Sequence, residues 1–85
     1  MTYIEARVTV AGFADLPPNW DSYGAHAIEP TCIGRSLRLL DAMEAAGVLV
    51  PWVVPTSDGG IVFEWGTGTE DESTVYIPPL RERSA

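Results

Sequence analysis

Tyr3-Ile4-Glu5-Ala6-Arg7-Val8-Thr9-Val10 is the stretch whose reading decides the fold. Ile4, Ala6, Val8 and Val10 alternate with Tyr3, Glu5, Arg7 and Thr9. A period of two predicts a half-buried strand with its aliphatic side on the core. With a strand at this end the whole chain reads β-α-β-β-β. That order predicts the α+β class, with a single helix packed on an antiparallel sheet of about four strands.

Beyond this stretch, Gly12 permits a bend and Phe13 is expected to turn inward. Residues 11–29 then make a connection long enough to suggest a role of its own. At its centre, Pro17-Pro18-Asn19-Trp20-Asp21-Ser22-Tyr23-Gly24-Ala25 has the prolines and glycine of a turn-rich loop. A loop that spends both Trp20 and Tyr23 reads as a lid. Its rings either pack onto the sheet or helix, or reach a partner.

The helix begins at Pro30 or Thr31, with Pro at the first helical position or Thr as N-cap. Ile33, Leu37, Leu40 and Met43 recur at helical spacing, while Arg35, Arg38, Asp41 and Glu44 take the wet side. Gly47 is the expected C-cap. The second half is β-rich. Trp52-Val53-Val54 lies between Pro51 and Pro55, which favours an edge position. Thr56-Ser57-Asp58-Gly59-Gly60 signals a hairpin, Ile61, Phe63 and Trp65 line one side of the next strand, and Val75-Tyr76-Ile77 forms the last. Residues 1–79 are therefore read as one domain and 80–85 as a frayed C-terminal tail.

Two of these segments, taken together, resemble a known pattern. Asn19-Trp20-Asp21-x-Tyr23-Gly24-Ala25, followed after one helix by Pro55-Thr56-x-Asp58-Gly59-Gly60-Ile61-x-x-Glu64-Trp65, is similar to a pattern recurring in short bacterial and phage-borne proteins. No activity is attached to those proteins, so the resemblance implies architecture and no chemistry.

Composition narrows the function classes. At 46% hydrophobic and 20% charged residues the chain is globular in character. Five arginines, no lysine and twelve acidic residues give a net charge of −7. Such a charge repels phosphate backbones, so direct nucleic-acid binding is not expected. It favours basic protein surfaces instead, including grooves that normally hold nucleic acid. The single Cys32 excludes an internal disulfide, and neither a signal peptide nor a membrane-length apolar run is present. A cytoplasmic protein is the expectation.

Chemistry-bearing residues are sparse. Asp21, His26 and Cys32 lie within twelve residues and would be the set for a small thiol enzyme, Cys32 as nucleophile and His26 as its base. The plainer reading makes Cys32 a first-turn residue of the helix and His26 a solvated loop residue. No paired-ligand spacing calls for a metal, and no motif calls for a cofactor. Gly59, Gly60, Gly66 and Gly68 belong to turns, and Asp58 is expected to order its own turn. Glu70-Asp71-Glu72, with Glu64 nearby, is either a solvated tip or a docking surface for a basic partner.

The function expected from these residues is that of a non-enzymatic, acidic protein-binding module that inhibits a larger protein. Its sharpest form is an anti-CRISPR-like inhibitor that blocks a basic nucleic-acid-binding surface. Glu64, Glu70, Asp71 and Glu72 would meet basic groups, with Trp20, Tyr23 and Trp52 as aromatic anchors. The rival readings are an antitoxin or immunity-type partner protein, the Cys32/His26 thiol enzyme, and a strand-addition module using the Trp52–Val54 edge. Monomer and homodimer both remain open.

Overall fold

Residues 3–10 form a helix. In the computed structural model, which describes residues 1–80, α1 spans Tyr3–Gly12 and runs into a short 3-10 turn at Phe13–Asp15. The expected N-terminal strand does not exist. The fold is a small α+β domain of two helices and three strands, rather than one helix and four strands.

Local chemistry explains the helix start. The Thr2 hydroxyl accepts from the Glu5 backbone N–H at 3.1 Å, and the Glu5 carboxylate accepts from the Thr2 N–H at 2.8 Å. This reciprocal capping box satisfies donors that a helix end leaves unpaired. Packing then selects among the apolar residues. Ala6, Val10 and Phe13 are buried and Tyr3 packs against the core, a stripe at helical spacing. Ile4 and Val8, half of the strand-like alternation, are left 72% and 67% exposed.

α2 spans Pro30–Ala45, with Pro30 at the first helical position and Glu29, not Thr31, as N-cap. Its C-terminus is closed by two backbone bonds, Val48 N–H to the Met43 carbonyl at 3.0 Å and Gly47 N–H to that of Glu44 at 3.1 Å. This pattern needs a left-handed residue after the cap, and Gly47 supplies it with φ of +76°. α1 packs on α2, and Arg7 ties them by pairing with Asp41 at 2.9 Å and with Glu44.

Three strands follow: β1 (Trp52–Pro55), β2 (Ile61–Trp65) and β3 (Ser73–Ile77). They form an antiparallel meander in the order β1-β2-β3. Val53, Ile61, Phe63 and Ile77 point to the helices and join Val10, Ile28, Ile33 and Leu40 in one core. The opposite side of the sheet carries Trp52, Val54, Val62, Glu64, Thr74 and Tyr76, with Trp52 facing Glu64 and Val62 facing Tyr76 across the ladders. Trp52, Val54 and Tyr76 are exposed there.

β1 is an edge strand, as its prolines predict. The Thr56 N–H bond to the Gly60 carbonyl sets the alternation, so the backbone polar groups of Trp52 and Val54 bond to β2 while those of Val53 and Pro55 point away from the sheet along its edge. Pro55 has no N–H, which leaves Val53 as the one outward donor of this strand. Such an edge is a poor template for strand addition.

Candidate functional site

The turn-rich loop closes on itself. Asn19 N–H donates to the Ala25 carbonyl at 2.6 Å and Ser22 N–H to that of Asn19 at 3.0 Å. The Asp21 carboxylate accepts from Tyr23 N–H at 2.8 Å and from Ala25 N–H at 3.1 Å, and the Asn19 side chain accepts from Gly24 N–H at 2.7 Å. Short acidic and amide side chains bond their own backbone in this way because the donors lie two to five residues on. Asn19 and Ser22 are held at φ of +65° and +66°, a region side chains rarely adopt. These five bonds order the backbone that carries Tyr23.

The two segments of the sequence pattern adjoin in space. His26 N–H donates to the Ser57 carbonyl at 2.8 Å, and Glu29 N–H to that of Gly59 at 3.0 Å. In the 56–60 turn, one Asp58 oxygen accepts from Gly60 N–H at 3.1 Å and from the Thr56 hydroxyl, while the other accepts from the Tyr76 hydroxyl. Asp58 thus orders its turn, as expected, and also ties it to β3. A Cβ on Gly60 would stand 2.7 Å from the Ile77 carbonyl oxygen, so this close approach of turn and strand needs glycine.

Desolvation pushes the Asp58 carboxyl upward, but the bonds from Thr56, Tyr76 and Gly60 outweigh it and hold it below its ordinary value. A depressed carboxyl contributes stability above its unfolded pKa and loses it as pH falls through the folded value. Stability is therefore expected to drop on acidification past the ordinary aspartate range, and Asp58→Asn to flatten that part of the profile. Urea midpoints against pH measure this, and an unchanged slope in the variant would remove Asp58 from the account.

The seven residues singled out from sequence fall into two groups. Trp20 and Tyr23 belong to the loop beside the β1–β2 turn. Trp20 is half-buried, with its indole N–H donating to the His26 carbonyl at 2.9 Å, whereas Tyr23 is 91% exposed. Of the two alternatives for the loop's rings, packing onto the sheet or helix does not hold for Tyr23, because the loop packs through Ala25 and Ile28 and leaves the Tyr23 ring outside. Trp52, Glu64 and the 66–72 loop carrying Glu70, Asp71 and Glu72 lie at the other end of the strands, roughly 13 Å away along a five-residue strand. Glu72 is partly spent in its own loop, accepting from Gly68 N–H at 3.0 Å. Asn19 and Asp21, which hold the loop, were not among the seven. Their spacing before a glycine, typical of side chains that bond their own turn, was the signal for them.

Cys32 is fully enclosed in the first turn of α2, with its Sγ donating to the Ile77 carbonyl at 3.2 Å. Burial pushes the thiol pKa up, against a smaller opposing pull from Arg35. A nucleophilic cysteine needs exposure and a lowered pKa, so this environment gives the thiol-enzyme reading no support. Native Cys32 is expected to react with a thiol reagent at least about a hundredfold more slowly than in denaturant, through opening of the fold. Reagent kinetics with and without urea test this, and equal rates would show an accessible thiol. Among the described residues, no three His, Cys, Asp or Glu side chains are placed to hold a metal ion. No helix among them is long and apolar enough to cross a membrane.

No family model, curated protein or solved structure matches this chain.

Proposed function

We propose that this domain is a non-enzymatic, acidic protein-binding module that docks on a basic surface of a larger protein and inhibits it. The observation that carries this reading is the uncovered side of the sheet. Trp52, Val54 and Tyr76 lie exposed on it around Glu64, and the Glu70-Asp71-Glu72 loop adjoins the same end. Exposed aromatics beside carboxylates match the anchor-and-rim composition of protein interfaces. The charge of −7 adds attraction toward basic partners. In its sharpest form the target surface is a groove that normally holds nucleic acid, which makes the inhibitor anti-CRISPR-like.

The test begins with capture of a stoichiometric partner from host lysate at low and high salt. Calorimetry on the identified partner then compares the wild type with Glu70→Lys/Asp71→Lys/Glu72→Lys and with Trp52→Ala. Charge reversal is expected to weaken binding at least about tenfold at low salt and to flatten its salt dependence. Trp52→Ala is expected to weaken it by about thirtyfold or more. A partner bound equally well by both variants, or no partner at either salt, would overturn the reading.

A further inference from the structure

Positive charge is scarce in this chain and unevenly used. Of its five arginines, Arg7 is paired to Asp41 and Glu44. Arg35 and Arg38 have no carboxylate partner among the described residues, although the chain has twelve acidic residues. Both line the same open groove of about 430 Å³, together with Pro30, Thr31, Gly34 and Leu80. They stand at i and i+3 on α2 and so project from one face of it. Among the described residues, no acidic side chain lines this groove. Glu29, the nearest in sequence, accepts a bond from the Thr31 hydroxyl at 3.3 Å and lines a different groove with Asn19 and His26.

The two guanidiniums are held differently. Arg35 donates through one terminal nitrogen to the Pro78 carbonyl, while its Nε is buried with no hydrogen-bond partner among the described residues. A terminal nitrogen of Arg38 lies 3.8 Å from the position a Cβ on Gly34 would take, so the Arg38 side chain runs back over that glycine.

We infer that this groove binds an oxyanion carried on an apolar body. Guanidinium groups present forked donors that match carboxylate and phosphate oxygens. Pro30 and Leu80 supply the apolar wall for the attached body. A phosphate ester and a carboxylate share the required chemistry, and the experiment separates them. The site is independent of the acidic docking surface and opposite to it in charge.

Phenyl phosphate, benzoate and inorganic phosphate are titrated separately into the full chain, following the arginine Nε–H signals by NMR. Saturable shifts at Arg35 and Arg38, with Arg7 unmoved, are the expected result. Phenyl phosphate is expected to bind more tightly than inorganic phosphate, because only the former meets the apolar wall. Whichever of phenyl phosphate and benzoate binds more tightly names the oxyanion class. Arg38 is exposed, so Arg38→Gln is expected to keep the wild-type thermal midpoint and lose at least about tenfold in affinity. Non-saturating shifts, equal movement of Arg7, or wild-type affinity in Arg38→Gln would overturn the assignment.

Discussion

Phe63→Ala is expected to bring the domain to the edge of unfolding at room temperature. Phe63 is fully enclosed in the central strand, opposite Val53 on one side and Val75 on the other. Truncating a buried phenylalanine removes its transfer free energy and leaves a cavity, together about 3–5 kcal/mol. A chain of this length has on the order of 4–13 kcal/mol of total stability, so the loss is a large share of it. In thermal unfolding each kcal/mol corresponds to roughly 4–8 °C for a domain of this size, giving a fall of at least about 12 °C. Tyr23→Ala serves as the control, because its exposed ring contributes little to the core, and its melting point should match the wild type. A shift under about 5 °C for Phe63→Ala would mean that the neighbouring side chains collapse into the space.

The second large effect separates a helix from a strand at the N-terminus. In a strand, Ile4 and Ala6 share a face and a charge at either would meet the same surroundings. In the helix, Ala6 is enclosed and Ile4 is turned to solvent. Ala6→Glu is therefore expected to cost about 3–5 kcal/mol, since the new carboxylate is buried with no partner. Ile4→Glu is expected to stay within about 0.5 kcal/mol of the wild type. Urea midpoints of the two variants give the comparison directly. Equal losses would argue for the strand and against the α1 packing.

The two ends of the chain show why some elements were legible and others were not. The segment from Pro30 to Gly47 announces its helix through a proline start, a helical stripe and a glycine stop, all of which act within a few residues. The three strands and the 56–60 turn are equally local, because Pro51, Pro55, Gly59 and Gly60 constrain backbone that no distant contact has to choose. Asp58 was readable for the same reason, since the amide it bonds lies two residues on. At the N-terminus, Ile4, Ala6, Val8 and Val10 fit a strand, while Tyr3, Ala6, Val10 and Phe13 fit a helix. Only Thr2 with Glu5 marked the difference locally.

The chain by itself thus determined the elements whose signals are held in proline, glycine and capping chemistry, together with the acidic charge and the aromatic residues. The tertiary structure decided which apolar set of residues 3–13 would be buried, because only the face of α2 that receives α1 distinguishes the two stripes. It also decided how the candidate binding residues are grouped. Trp52, Glu64 and the acidic loop share one end of the sheet, while Trp20 and Tyr23 lie at the other, since strand register alone places residues 52 and 64 side by side. The Arg35–Arg38 groove was likewise invisible in sequence, because its second wall is Leu80, which is brought to α2 only when β3 joins the sheet.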